Sequence, residues 1–339
     1  MLRLSVLDQS PVPEGSTAQQ ALIETVKLAQ LSERLGYHRF WVSEHHNTSS
    51  LAHSSPEVFI SHIAAHTSSI RVGTGGVMLP HYSAYKVAEN FRLLEALYPG
   101  RIDVGLGRAP GGLPIATRAL QEGKTGLGYV DQYPQQIADL LHYFNDSDSD
   151  THRFPGLVAS PSVDSKPEVW LLGSSGDSAA LAAELGVSFA FAQFINGAGG
   201  APVVKAYKEQ HLSTGYDPVP RSMVAIFVIC ADTDAEAERL VSSFDYQFLL
   251  LEQGRFTEGV VTPEKALAYP YSQTDLMRIK ENRKRVVVGS PQAVKKQLLE
   301  LSELYETDEI MIATIVHDYE AKRKSFKLLA EAFGIQPPE

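Results

Sequence analysis

The chain has 339 residues, of which 44 % are hydrophobic and 21 % are charged, a composition that supports a large buried core and excludes wholesale disorder. The 30 lysine and arginine residues against 40 aspartate and glutamate residues give a formal net charge of −10. An acidic chain without a basic run is a poor candidate for binding nucleic acid or an anionic membrane. The single cysteine, Cys230, excludes an intramolecular disulfide and a cysteine-based zinc site.

The first residues lack the basic start, long apolar stretch and small-residue cleavage site of a signal peptide. The longest apolar run, residues 223–231, has nine residues, whereas a membrane-spanning helix needs about 20. We therefore expect a cytoplasmic protein that does not enter a membrane.

Short apolar runs, rich in valine, isoleucine, leucine and phenylalanine, are typical of strands buried on both faces of a parallel sheet. In chain order they are residues 2–7, 39–42, 70–73, 102–106, 169–172, 187–192, 223–230 and 310–313. Amphipathic segments between them predict helices. These are residues 19–35 before Gly36, a helix capped by Ser55 and begun by Pro56, residues 83–97, a helix begun by Ser290 and Pro291, and a last helix before Gly334.

Alternation of eight strands with helices predicts an α/β fold, a single closed (β/α)₈ TIM barrel spanning residues 1–339, with an open doubly wound sheet as the alternative. Residues 108–166 and 232–308 are too long for simple connections, which predicts long insertions after strands 4 and 7. The second segment is expected to hold a helix near 235–251, an irregular stretch at 252–285 and a helix near 291–304. Glycines, prolines and three aromatic residues, Phe256, Tyr269 and Tyr271, make 252–285 a predicted mobile lid.

The fifth predicted strand runs into the sequence GSSGDS, which opens a helix. A helix N-terminus offers unpaired N–H groups and partial positive charge, and serine hydroxyls add donors, so Ser174, Ser175, Gly176 and Ser178 form a candidate anion site. Arg108, after the fourth strand, can add a guanidinium fork. The alternative is that the serines only cap the helix, and the residues favour neither.

Glycines also follow the third and fourth strands, at Gly75, Gly76, Gly105 and Gly107. Their lack of side chains leaves a floor on which a flat ring system can lie at the barrel mouth. Tight strand packing is the alternative explanation.

Histidines raise the question of a metal. Glu44, His45 and His46 end the second strand, and His62 and His66 are four residues apart on a helix, a spacing that can share one metal. No HExxH motif or assignable third ligand accompanies them, so we expect two histidines beside a packed helix face and no metal site.

Three stretches carry a family resemblance: GYHRFWVSEHHN, SIRVGTGGVMLPHYSAYKVAENFRLLEALYPGRIDVGLGRAPGG and VWLLGSSGDSAALAAELG. The chain resembles the bacterial luciferase-like family of flavin-dependent monooxygenases from its first strand to its last helix. The resemblance implies a (β/α)₈ barrel that binds flavin mononucleotide (FMN), receives it reduced from a separate flavin reductase, and uses O₂ on a small organic substrate.

The resemblance also implies roles for individual residues. His45 falls on the histidine that supports catalysis in luciferase, and Gly75 and Gly76 fall on an unusual cis peptide beneath the flavin ring. Arg108 and the serines after the fifth strand would hold the flavin phosphate, and Gly107 replaces a cysteine of luciferase. The implied cofactor-binding residues are Gly75, Gly76, Gly107, Arg108, Ser174, Ser175, Gly176 and Ser178.

Two other functions stay open: hydride transfer with a deazaflavin, and flavin binding without turnover. A homodimer is expected, because the family generally pairs through the helices beside strands two and three, here residues 56–67 and 83–97.

Overall fold

The computed structural model describes residues 2–124, 131–145 and 152–337. The strands are β1 (Arg3–Asp8), β2 (Arg39–Val42), β3 (Arg71–Thr74), β4 (Val77–Met78), β5 (Ile102–Gly107), β6 (Glu168–Gly173), β7 (Ser188–Ala192), β8 (Ser222–Cys230), β9 (Val286–Gly289) and β10 (Glu309–Ala313). The helices are α1 (Ala18–Leu35), α2 (Pro56–Ala65), α3 (Ala84–Leu97), α4 (Pro114–Leu120), α5 (Tyr133–Phe144), α6 (Gly176–Leu185), α7 (Gly200–Gln210), α8 (Asp234–Glu252), α9 (Pro263–Leu267), α10 (Gln273–Asn282), α11 (Pro291–Tyr305) and α12 (Tyr319–Phe333).

The strands close into a barrel. Within the described residues, eight parallel strands form a ring in the order β1, β2, β3, β5, β6, β7, β8 and β10, and β10 closes it by pairing with both β8 and β1. The predicted TIM barrel is therefore confirmed, and the open doubly wound sheet is wrong. β4 and β9 lie outside the ring, as partners of β5 and β8.

Successive side chains along each strand point to opposite faces of the sheet and so contribute to two apolar cores. In β8, Met223, Ala225 and Phe227 belong to the cluster inside the barrel, whereas Val224 and Ile226 belong to the larger cluster between strands and helices. This explains why the strands read as continuous apolar runs, since both faces of each strand are covered.

A buried ion network lies at the amino-terminal end of the barrel. The guanidinium of Arg39, only 1 % exposed, pairs with Asp103 at 2.7 Å, with Glu309 at 2.7 Å and with Glu168 at 3.1 Å. The positive charge of Arg39 lowers the pKa of the Glu168 carboxyl to about 2, together with Arg71 and Arg221. In TIM barrels this end serves stability, which leaves the carboxyl end of the strands for chemistry.

The segment 252–285 differs from its prediction. It is not irregular, because it contains α9 and α10. Thr262 and Ser272 cap these helices, and Ser272 forms a reciprocal capping box with Asp275. The prediction failed because α9 is only five residues long and α10 is mostly exposed, so neither carries an apolar stripe. None of the described helices is long and apolar enough to cross a membrane.

Candidate functional site

A cavity of about 570 Å³ opens at the carboxyl end of the barrel. Loops after several ring strands contribute to its wall, which is why residues distant in sequence meet there. It is lined by Gln9, His45, His46, Asn47, Thr48, Ser50, Leu51, Gly111, Gly112, Leu113, Phe194, Ile195, Phe227, Gln247, Phe248, Leu251, Arg255, Phe256, Thr257, Arg285 and Ile315.

Glu44 fixes one of the two histidines of this wall. Its carboxylate is fully buried and accepts hydrogen bonds from His46 Nε2 at 2.7 Å, from the Tyr82 hydroxyl at 2.7 Å and from the Met78 backbone N–H at 2.9 Å. Since a carboxylate only accepts, His46 must carry its proton on Nε2. Glu44 thus holds the His46 ring in place. Burial raises the pKa of Tyr82, and the hydrogen bond to Glu44 and the charge of Glu44 raise it further.

The other histidine, His45, is held neutral. Its Nδ1 lies 3.0 Å from the Ser43 hydroxyl, which leaves Nε2 as the ring nitrogen available to a ligand. Burial lowers the pKa of His45 to about 4, and the neighbouring His53 and His46 add to the shift. The two ring nitrogens of His53 are buried and find no hydrogen-bond partner among the described residues. Burial lowers the pKa of His53 to about 4 as well. At neutral pH the His45 ring can therefore donate or accept a hydrogen bond but carries no charge.

The candidate anion site lies where β5 and β6 end side by side. Ser175 is the N-cap of α6, yet its side chain makes no capping hydrogen bond, so its hydroxyl is not engaged in the role that the alternative explanation required. Arg108 follows β5, is 48 % exposed, and donates to Asp131 Oδ2 at 2.5 Å. Serine hydroxyls, backbone N–H groups at the start of α6 and a guanidinium thus occupy neighbouring strand ends, a donor set that fits a phosphate.

The glycines at the mouth are constrained by packing. The peptide bond between Gly75 and Gly76 is cis, as the resemblance implied. A Cβ on Gly76 would lie 2.7 Å from the Gly105 carbonyl oxygen, and one on Gly107 would lie 2.9 Å from Met78 Sδ. Close backbone approach therefore explains Gly76. Gly75, Gly76 and Gly107 do not belong to the described lining of the cavity, so a place beside the flavin ring stays a prediction for them.

Only part of the predicted lid reaches the cavity. Arg255, Phe256, Thr257 and Arg285 line it. Tyr269 and Tyr271 pack on each other with ring centroids 5.0 Å apart and do not line it. The rest of the segment is anchored to the barrel, since its Val260 is fully buried and forms a backbone bridge with the loop after β1. The two tyrosines therefore do not belong to the described lining of the cavity, and a mobile lid at 252–285 stays a prediction.

His62 and His66 do not reach the cavity wall. Their rings lie 4.2 Å apart, and His66 Nδ1 lies 2.8 Å from the His62 carbonyl oxygen at the end of α2. Among the residues that the structure describes, no group of three or more histidine, cysteine, aspartate or glutamate side chains is arranged to hold a metal ion.

Comparisons with known proteins agree with this architecture. The family model described as luciferase-like monooxygenase matches residues 2–307. The chain belongs to the luciferase-like monooxygenase family. It is accordingly an oxidoreductase that acts with incorporation of oxygen, as the resemblance implied.

Relatives within the luciferase-like monooxygenases align over nearly the full length. The N-acetyl-S-alkylcysteine monooxygenase of Bacillus subtilis (strain 168) is 43 % identical over 98 % of each chain, and the uncharacterized protein YwcH of the same organism is 57 % identical over 98 % of this chain and 100 % of its own. The crystal structure of apo-MsnO8 superposes with a TM-score of 0.90 at 37 % identity, covering 99 % of both chains.

Sequence reasoning missed several cavity residues of this luciferase-like monooxygenase. Phe194 lies two residues after the end of β7 and could have been found as a strand-end residue, as the other mouth residues were. Phe248 and Gln247 lie inside α8, and Arg255 and Arg285 lie in connections whose path the sequence does not reveal. Only the tertiary structure brings these residues to the mouth of the barrel.

Proposed function

We propose that the chain is an FMN-dependent monooxygenase that uses reduced FMN and O₂ to oxidise a small organic substrate. The observation that carries the proposal is the cavity of about 570 Å³ at the carboxyl end of the barrel, with two fixed histidines in its wall. A phosphate-type donor set lies on the neighbouring ends of β5 and β6. The family assignment and its monooxygenase relatives favour this reaction over the deazaflavin and non-catalytic alternatives.

FMN would be held at both ends. Arg108, with Ser174, Ser175, Gly176 and Ser178 at the start of α6, would bind the phosphate, because the hydroxyls and backbone N–H groups can donate hydrogen bonds and the guanidinium adds positive charge. Gly75, Gly76 and Gly107 would face the ring system. When bound, reduced FMN supplies the electrons that activate O₂.

The protein side chains would control protons and water. Neutral His45 would donate or accept a hydrogen bond at the reacting atoms through Nε2, and acid–base assistance of this kind contributes about 10²–10⁴-fold to rate. The buried Glu44 carboxylate would keep His46 in one tautomer beside it. Phe256, which is exposed at the cavity rim, would shield the site from water once substrate is bound.

Two partners belong to the same proposal. Reduced FMN would come from a separate flavin reductase, by diffusion, as the family resemblance implies. A homodimer would form through α2 and α3, where Val58, Leu93 and Leu97 are 70 %, 52 % and 56 % exposed. Apolar side chains clustered on two neighbouring helices suit an isologous interface.

The first test is FMN binding followed by turnover. We expect oxidised FMN to titrate to one site per chain by calorimetry. We also expect anaerobically reduced FMN, mixed with protein, air and a panel of thioethers, to give products heavier by one oxygen atom. N-acetyl-S-alkylcysteines head the panel because a relative 43 % identical is named for them. Absence of FMN binding, or oxygen uptake that yields only hydrogen peroxide with every compound, would contradict the proposal.

A further inference from the structure

One wall of the cavity is aromatic. The Phe227 ring packs edge-on against Phe194 and Phe248, with centroids 5.5 Å and 5.3 Å apart, and Ile315 and Leu251 extend the apolar surface. This wall faces the space that His45 and His46 also line. An aromatic or aliphatic group of a ligand that packs on this wall would be removed from water. Each Å² of apolar surface buried in this way adds about 25 cal/mol to the binding free energy.

The lining of the same cavity also carries positive charge. Apart from its histidines, the charged residues of the described lining are Arg255 and Arg285, and no aspartate or glutamate belongs to it. This is notable in a chain whose net charge is −10. Two guanidinium groups in a lining without a carboxylate are suited to bind an anion.

Within the part of the chain that the structure describes, neither guanidinium is fully engaged. Arg255 donates to neutral partners, the Gln253 side-chain oxygen at 3.3 Å and the Tyr269 hydroxyl at 3.1 Å. The carboxylate of Asp275, whose charge adds to the effect of Tyr269 in raising the pKa of Arg255, accepts hydrogen bonds from Ser272 and Gln253 instead. Arg285 Nη1 lies 3.7 Å from Glu252 Oε1, too long for a hydrogen bond.

A third feature is the unpaired amide of Gln247. Its side-chain oxygen is buried and accepts no hydrogen bond from the described residues, although the residue lines the cavity beside Phe248. A buried acceptor without a donor is costly, so a ligand that brings an N–H or O–H to this point would be favoured.

We propose that the substrate is a small carboxylate with an apolar group and an N–H or O–H donor between them. The apolar group packs on Phe194, Phe227 and Phe248, and the carboxylate binds Arg255 and Arg285. The inference rests on the proposed function in that the compound bound here is the one oxidised. It assigns a second anion site, separate from the phosphate site after β5 and β6, so the carboxylate and the FMN phosphate do not compete.

The test uses a matched pair of probes, N-acetyl-L-phenylalanine and N-acetyl-L-phenylalaninamide, which differ in the charge of one group. Calorimetry is run on the purified protein with and without saturating FMN. We expect the carboxylate to bind at least about tenfold tighter than the amide, the size of one charge-assisted hydrogen bond. Arg255→Gln should reduce this preference to less than about threefold, and added salt should weaken it. Arg278→Gln, at an exposed arginine of α10 outside the cavity, should retain it.

Two results would overturn the inference: equal affinity for both probes in the unmodified protein, or a preference that survives in the double variant Arg255→Gln, Arg285→Gln. Titration with FMN alone separates this outcome from failure of the proposed function. A protein that prefers the carboxylate but does not bind FMN keeps the anion site and loses the FMN assignment. A protein that binds FMN but binds the carboxylate and the amide with equal affinity keeps the FMN assignment and loses the anion site.

Discussion

Replacement of Arg108 by glutamine tests the phosphate site most directly. The side chain follows β5, beside the start of α6, and is 48 % exposed. Its removal should leave the barrel intact, since surface substitutions usually change the free energy of unfolding by less than about 0.5 kcal/mol. The affinity for FMN should fall, because a charged donor to the phosphate is lost.

The magnitude follows from the partner that Arg108 already has. A hydrogen bond to a charged group contributes about 1.5–3 kcal/mol, or about 10-fold to 150-fold in the dissociation constant. Phosphate must compete with Asp131, which accepts from the guanidinium at 2.5 Å, and solvent screens an exposed pair. We therefore expect the lower part of the range for Arg108→Gln, an increase of about 10-fold to 30-fold.

Asp131→Asn is the matched control variant, and it should change the affinity for FMN in the opposite direction. An exposed ion pair contributes about 0–1 kcal/mol, so removing the competing carboxylate should tighten FMN binding by up to about fivefold. Calorimetric titration with FMN measures both variants, and riboflavin, which lacks the phosphate, should bind the two variants and the parent equally. If Arg108→Gln binds FMN within twofold of the parent protein, the phosphate does not lie at this site.

Four further outcomes are expected. His45→Ala should bind FMN normally but form product about 10²-fold to 10⁴-fold more slowly, with hydrogen peroxide taking its place; full coupling of oxygen uptake to product would exclude this role. Leu93→Glu should convert a homodimer into a monomer in light scattering at micromolar concentration, and a parent protein that is already monomeric would refute the interface. Limited proteolysis with trypsin should cut first within 252–285, at Arg255, and FMN with substrate should slow the cut; equal rates with and without ligand would leave no lid. Arg39→Met should lower the free energy of unfolding, measured by urea denaturation, by about 3–5 kcal/mol, because it leaves buried carboxylates without their positive partner. The parent's Glu168, whose pKa is lowered to about 2, contributes stability that is lost only as pH falls from about 4.5 toward 2, and the variant should show a weaker loss over this range.

Local sequence signals determined the barrel. Each predicted strand recurs within a few residues of its predicted bounds, because residues with two buried faces must be apolar throughout. The signals at helix ends held for position: Gly36 ends α1 with a φ of 87°, and α2 and α11 begin at Pro56 and Pro291. Ser55 and Ser290 precede those helices but form no capping hydrogen bond with their side chains. Such signals involve only a few neighbouring residues, so they can be recognised in the sequence without knowledge of the fold.

The positions at strand ends were also accessible from sequence. In a parallel barrel all carboxyl ends meet at one mouth, so the order of strands alone placed His45, Arg108 and Ser175 at the same end of the molecule. The short strand β9 was not predicted, because its VVVG run follows a polar segment. It pairs only with the carboxyl-terminal half of β8.

Only the tertiary structure decided which groups act together. Glu44 accepts hydrogen bonds from three donors, which contacts between loops after different strands bring to it. The burial that keeps His45 neutral depends on such contacts as well. The same holds for the meeting of the α8 aromatic residue Phe248 with Arg255 and Arg285 around one cavity. Burial and electrostatic shifts arise from packing at distances of a few ångström between residues tens to hundreds of positions apart. Local propensity carries no information about such pairs, and the closure of the barrel creates them.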